Sequence, residues 1–391
     1  MKSRTGLDIL VADDFSIIGQ RRVGLLVHPA SVDSQLNHAW DLFRAAENVT
    51  VGALFGPQHG IMGQTQDNMI EWEGFREAQT GIPVHSLYGE HRKPSAEMLA
   101  DIDLLVIDLQ DVGARYYTFI WTMLLCLDAC AEAAVQVLVL DRPNPLGGVF
   151  TEGNVLQPEF RSFVGLAPIP MRHAMTMGEL ARFFVHWREL DLDLQIIWAD
   201  GWQRGQNFDA TGLPWVMPSP NMPTVDTAFV YPGGCLLEGT MLSEGRGTTR
   251  PFEIFGAPFV DGTVLAQRLS GLALPGAIFR PLEFEPTFHK FAGKICKGVQ
   301  VHVTDRTVFE SVLTYTAAIS FIREMWPEEF AWKEPPYEYE TVKLPIDILA
   351  GGEQWRQDVE NQRNPLEMKA EWNAKLMTFN ILTEGFRHYG S

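Results

Sequence analysis

The chain is poor in cysteine, in basic residues and in long apolar runs, and each shortage excludes a class of protein. Four cysteines in 391 residues (Cys126, Cys130, Cys235 and Cys296) form no CxxC pair and no zinc spacing, which excludes a disulfide-stapled scaffold. Cys126 and Cys130 lie four apart in an apolar, helix-like stretch, where packing is their use. Against 49 acidic residues stand only 31 basic ones, a formal net charge of −18. Such a surface repels phosphate backbones and anionic membranes, so no nucleic-acid partner is expected. The longest apolar run, Tyr116 to Leu127, is shorter than the roughly 20 residues a bilayer span takes, so no membrane insertion is expected. The N-terminus, Met1-Lys-Ser-Arg-Thr-Gly-Leu7, lacks the apolar core and cleavage site of a secretory signal. That predicts a cytoplasmic chain, or a secreted or periplasmic one if the chain is a mature form. No strand leads into GxGxxG, and GxxxxGK[ST], HExxH and GxSxG are missing, so no dinucleotide site, phosphate-binding loop, metal or serine nucleophile is expected.

What is present is ordinary globular material: 46% apolar and 20% charged residues, enough for a large core and, at this length, two domains. The first half alternates strand and helix. Val23–Val27, Val51–Phe55, Ile82–Tyr88, Leu104–Asp108 and Val137–Asp141 read as buried strands. Helical spacing covers His38–Ala46, Ser95–Leu99 and Tyr116–Ala134. Strands joined through helices imply right-handed crossovers and a mostly parallel, Rossmann-like sheet. Between about 200 and 250 the composition shifts. Thr211–Thr224 is Pro-rich and not helical, and it leads into the polar, Gly-punctuated loop Thr240–Pro251. A boundary near 226 gives domains 1–226 and 227–391, the second containing a strand over Gly298–Val303 and helices over Val308–Met325 and Met368–Phe386.

In an open parallel sheet, ligands bind beyond the carboxyl ends of the strands, and here those ends carry unusual polar chemistry. His28 follows the first strand, Gln58-His59 the second, Gln110-Asp111 with Arg115 the fourth, and Asp141-Arg142 with Asn144 the fifth. Plainer readings compete: Asp111 and Arg115 as a helical i,i+4 pair, Asp141 as a turn cap, and Glu179 as the capping-box partner of Thr176. Glu238, Glu244 and Arg246 lie in or beside the Gly-rich loop, where they are either solvated or drawn to a ligand by the backbone's freedom to approach it. A cleft between the domains, lined with carboxylates, arginine, histidine and aromatics, suits a small polar substrate such as a carbohydrate.

Five ordered segments carry a family resemblance: Phe55-Gly-Pro-Gln-His-Gly60, Gln110-Asp-Val-Gly-Ala-Arg-Tyr-Tyr117, Leu140-Asp-Arg-Pro-Asn-Pro-Leu-Gly-Gly148, Pro218-Ser-Pro-Asn-Met-Pro223 and Leu237-Glu-Gly-Thr240 with Ser243–Thr248. Over Gly24–Tyr389 the chain resembles the exo-β-N-acetylmuramidases. The resemblance implies a Rossmann-like N-terminal domain, a smaller α/β C-terminal domain and an active cleft between them. It also implies removal of terminal N-acetylmuramic acid from the non-reducing end of peptidoglycan fragments, without a cofactor. The family pattern places a catalytic Glu where this chain has Gln58, and an amide cannot exchange a proton as an acid or base must. The expected catalytic set is therefore Gln58 as occupant of that slot, His59, Asp111, Glu238 and Glu244. Substrate contacts are expected from His28, Arg115, Arg142, Asn144, Asn221 and Arg246. Arg115 and Arg246 rank first as clamps for the lactyl carboxylate that distinguishes muramic acid. Besides turnover, Gln58 admits a second reading, a catalytically weak or silent homologue that binds peptidoglycan sugars. Oligomeric state is not legible.

Overall fold

Short runs of Val, Leu and Ile separated by helices build one central sheet. The computed structural model describes residues 2–63, 65–66 and 69–390. In chain order its first strands are β1 (Arg22–Val27), β2 (Thr50–Gly56), β3 (Phe75–Arg76), β4 (Pro83–Ser86), β5 (Leu104–Asp108), β6 (Gln136–Leu140), β7 (Glu152–Val155), β8 (Pro170–Arg172) and β9 (Leu194–Ile197). Seven form a sheet in the order β3-β4-β2-β1-β5-β6-β9. All its pairings are parallel except that of β3 with β4. The other two strands, β7 and β8, make a separate antiparallel ribbon. The chain runs outward from β1 to β2 and β4, then returns to place β5 on the other side of β1. That reversal is the topological switch point, where loops diverge and leave a crevice.

Continuous apolar runs mark strands covered on both faces. Leu26 of β1 belongs to the larger core cluster and Leu25 to a second cluster on the opposite face, as strand alternation requires. The larger cluster continues without a break from Leu26 to Phe379, across both halves of the chain. Edge strands β3 and β9 and the Gly-containing β7 lack such runs, and sequence periodicity did not find them. The Pro-rich stretch after Thr211 is irregular, as its composition predicts.

A helix, Val225–Gly234, carries the chain into its second half, with the Thr224 hydroxyl accepting from Thr227 N. There β10 (Ile254–Ala257), β11 (Ala277–Phe284) and β12 (Cys296–Val303) form an antiparallel sheet in the order β10-β12-β11. A Cβ on Gly298 would lie 1.9 Å from the Phe255 carbonyl oxygen, so the close pairing of β12 with β10 requires glycine here. Helices Gly262–Ser270, Ser311–Met325 and Pro365–Thr383 complete this smaller α/β domain. Among the described residues, no helix is long and apolar enough to cross a membrane.

The far C-terminus straps back onto the first domain. Asp141, just past β6, accepts from the Tyr389 hydroxyl (2.5 Å), the Thr176 hydroxyl (2.8 Å) and Gly178 N (2.8 Å). Glu179, the capping-box partner of Thr176, pairs with Arg204 and accepts from His388 N (2.8 Å). Burial pushes the Asp141 carboxyl up to about 7. Between about pH 4 and 7 the folded protein therefore keeps a proton that the unfolded chain has released, and the Asp141 contribution to stability declines as pH rises through that window. Urea unfolding of the protein and of Asp141→Asn across pH 4–8 checks this. The difference in unfolding free energy between the two shrinks with rising pH; a pH-independent difference contradicts the assignment.

Candidate active site

Past the end of β2, the turn Pro57–Gly60 is held by Trp72 Nε1, which donates to Pro57 O (3.1 Å). His59 adopts a left-handed backbone (φ 71°), uncommon for a residue with a side chain. Its Nδ1 faces Thr65 O at 2.8 Å, so Nδ1 carries the hydrogen and Nε2 the lone pair. Burial lowers its pKa to about 4, and the Arg246 charge adds to the shift, so the ring is neutral at pH 7. The Gln58 side-chain oxygen accepts from the Thr118 hydroxyl (2.8 Å), just ahead of the helix Phe119–Ala133. Gln58 and His59 line a cavity at the seam between the two halves. Tyr117 and Thr118 contribute from the first half, Ser219 and Asn221 from the Pro-rich segment, and Glu238, Arg246, Tyr337 and Glu338 from the second half.

Residues 242–246 of the Gly-rich loop are buried. Gly245 and Gly247 have φ of 78° and 80°, and a Cβ on Gly247 would lie 2.7 Å from Phe288 N, so the loop threads a space only glycine fits. Between them Arg246 donates to Glu238 Oε1 (2.7 Å), lies 3.5 Å from Glu244 Oε1 and stacks its guanidinium over the Phe252 ring at 5.1 Å. Glu238 is held on its other oxygen by the Tyr337 hydroxyl (2.7 Å). Glu244 faces Lys290 (2.9 Å) and His289 (3.0 Å). Lys290, His289 and Arg246 hold its carboxyl far below the usual range although burial acts the other way. A carboxylate so placed anchors the loop and has no proton to give at neutral pH.

The cavity brings together five of the expected residues, Gln58, His59, Asn221, Glu238 and Arg246, with the Asn221 amide donating to Gln66 O (2.8 Å). It leaves out six. Glu244 lies behind Arg246. Asp111 is turned toward His173 (3.1 Å) and accepts from Gly113 N (2.6 Å). His28 is spent within the loops, between Pro218 O (3.2 Å) and Gln110 N (2.9 Å), and burial lowers its pKa to about 3. Arg142 makes a two-pronged pair with Asp108 (2.5 and 2.8 Å) at the ends of β5 and β6. Asn144 caps Leu146 N (3.0 Å) and donates to Met175 O (2.9 Å).

Arg115 departs furthest from expectation. It does not pair with Asp111, and neither residue is helical. Its guanidinium donates to the carbonyls of Asn154 (2.7 Å), Ile169 (3.1 Å) and Leu349 (2.5 Å), joining three segments in the interior. A buried cation already bound to carbonyl oxygens is a structural tie rather than a substrate clamp.

Glu338 and Tyr337 were missed. They sit in the turn Tyr337–Glu340, closed by reciprocal backbone hydrogen bonds of 2.9 Å, with positive φ at both central residues, Glu338 and Tyr339 (44° and 68°). The preceding Pro335-Pro336 signals a turn, but nothing local points that turn at a cavity. The Glu338 carboxylate accepts from the Tyr88 hydroxyl (2.9 Å), and the Gln58 side chain lies beside it and favours its ionised form. Burial, helped by the charge of Glu238, pushes its pKa up to about 7. Among the described residues, no group of three or more His, Cys, Asp or Glu side chains is arranged to hold a metal.

Comparison with known proteins agrees with this architecture. Residues 23–226 match the family model for exo-β-N-acetylmuramidase NamZ, N-terminal, and residues 229–389 the corresponding C-terminal model. The chain is 47% identical over 329 residues to peptidoglycan β-N-acetylmuramidase NamZ of Bacillus subtilis (strain 168), covering 84% of this chain and 79% of that protein. Two solved structures of DUF1343 family proteins from Bacteroides fragilis NCTC 9343 are similar. One has a TM-score of 0.89 at 33% identity, covering 99% of both chains. The other has a TM-score of 0.79 at 27% identity, covering 100% of both.

The placement of Arg115 has a measurable consequence. Arg115→Ala leaves buried carbonyls unpaired, at about 1–3 kcal/mol per group, and lowers the unfolding free energy accordingly. The ratio of affinities for N-acetylmuramic acid and N-acetylglucosamine, measured calorimetrically, stays as it was. A stable variant that selectively loses N-acetylmuramic acid places Arg115 at the sugar instead.

Proposed function

The chain belongs to the exo-β-N-acetylmuramidase family, and we propose that it hydrolyses the terminal, non-reducing N-acetylmuramic acid from peptidoglycan fragments. The observation that carries the reading is the pair of buried carboxyl groups, Glu238 and Glu338, lining one cavity beside Arg246. Glycoside hydrolysis ordinarily uses two such groups about the scissile bond, and the Bacillus relative bears the name of that activity. Glu238, fixed from both sides by Arg246 and Tyr337, serves as the ionised partner that faces the oxocarbenium-like centre or takes a proton from water. Neutral His59 presents a lone pair to a sugar hydroxyl, and Asn221 offers an amide.

Arg246 reads the lactyl carboxylate. Its Nη2 and Nε face Glu238 and Glu244, which leaves Nη1 for the substrate. Arg115, spent on carbonyls, takes no part. The reading of a silent sugar-binding homologue rested on Gln58 alone, and the remaining carboxyl groups remove its premise.

The test is release of free N-acetylmuramic acid from an N-acetylmuramyl-β-1,4-N-acetylglucosamine disaccharide, followed by chromatography. Release is expected, with no comparable attack on a chain ending in N-acetylglucosamine; turnover of neither overturns the reading. Arg246→Ala is expected to weaken N-acetylmuramic acid by about 1.5–3 kcal/mol more than N-acetylglucosamine, the range for a hydrogen bond to a charged group. Equal weakening of both sugars assigns Arg246 to structure.

A further inference from the structure

Gln58 has no ionisable proton, Glu238 is ion-paired with Arg246, and Glu244 is committed to Lys290 and His289. A glycosidic oxygen leaving from this cavity still needs a proton. Glu338 is positioned to supply it. Its side chain is buried at the cavity wall, and its backbone is held in a left-handed conformation that is costly for a non-glycine residue. It is held from the other half of the molecule by the Tyr88 hydroxyl, with the Gln58 side chain beside it.

We propose that Glu338 is the general acid of this site and that Gln58 is the residue that positions it. The inference rests on the glycosidase reading above and names the proton donor for it. In the reaction, Glu338 gives its proton to the glycosidic oxygen as the bond from that oxygen to the anomeric carbon breaks. The bonding pair leaves with the oxygen. A water supplies a hydroxyl to the anomeric carbon and passes its proton to the Glu238 carboxylate and so to solvent, from which Glu338 is reprotonated. One water is consumed and two hydroxyl-bearing products form.

The surroundings favour the protonated form at neutral pH. Burial opposes the charge, and Glu238 faces Glu338 as a second negative group. Arg246, Tyr88 and Gln58 favour the ionised form. Among the described residues, Lys333, Tyr337 and Tyr339 also face it. The balance leaves its pKa at about 7, where a group both holds a proton and releases it readily.

The experiment compares the protein with Glu338→Gln on the natural disaccharide and on 4-nitrophenyl β-N-acetylmuraminide, whose leaving group needs no protonation. The expected loss is 10²–10⁴-fold on the disaccharide and less than tenfold on the nitrophenyl glycoside, which also reports that the variant is folded. Disaccharide kcat of the native protein falls as pH rises through about 7, and that limb is missing from the residual activity of Glu338→Gln. Gln58→Glu sets a second carboxyl against the first and moves the limb to higher pH. Equal losses on both substrates, a limb that survives in Glu338→Gln, or a limb unmoved by Gln58→Glu overturns the proposal. Should the native protein cleave another β-glycoside and no muraminide, the substrate reading fails, and the same leaving-group contrast on the accepted glycoside decides the role of Glu338. If it cleaves none, both fall.

Discussion

Lys290 is the tie on which the site depends. Its ammonium donates to the carbonyls of Leu237 and Leu242 (3.0 Å each) and to Glu244 Oε2 (2.9 Å). Three contacts join the short turn bearing Glu238 to the Gly-rich loop bearing Arg246. A carboxylate taken out of water is expensive unless it is paired and hydrogen-bonded, and losing one partner of a buried pair costs about 3–5 kcal/mol. Glu244 meets that demand with Lys290, His289 and Arg246 together. Because Arg246 is thereby held from behind, its other side faces Glu238 in a fixed orientation, and Tyr337 closes the far side of Glu238. The order of constraint runs from Lys290 to Glu244, to Arg246, to Glu238, to Tyr337, and so to the turn that carries Glu338.

The same logic separates what the amino-acid sequence discloses from what it conceals. Buried parallel strands need apolar side chains on both faces, and β1, β2, β5 and β6 are written as such runs. The polar clusters at strand ends were legible as clusters, because a connecting loop needs few charged residues. Which cluster faces the cavity was not legible. Asp108 with Arg142, Asp111 with His173, and Arg115 with three carbonyls all satisfy buried polar groups within the loops. From composition, a residue that stabilises a loop looks the same as one that awaits a ligand. The polar character of Thr240–Pro251 was misleading in the same way. Glu244 and Arg246 are matched inside the fold rather than by water.

Glu338 was concealed for a different reason. It lies 280 residues from Gln58 in the sequence, in a turn whose alternating Tyr-Glu-Tyr-Glu run says nothing of a cavity. Its function follows only from the partner that meets it, and that partner stands at the end of β2. Sites assembled at a seam are legible from the side that carries the regular structure, here the sheet, and silent from the side that supplies turns.

Charge accounting in the proposed site links substrate choice to protonation. The cavity wall carries Glu238, Arg246 and Glu338, with Arg246 already facing two carboxylates. A sugar with a lactyl carboxylate brings another negative charge into a space where unpaired charge is costly. Arg246 offsets part of it. The remainder falls on Glu338, since a nearby anion disfavours its ionised form. Binding of the anionic sugar thus drives Glu338 toward the protonated state that an acid catalyst requires, whereas a neutral sugar of the same shape lacks that effect. Selection for muramic acid and readiness to protonate the leaving oxygen are, in this arrangement, consequences of one electrostatic balance.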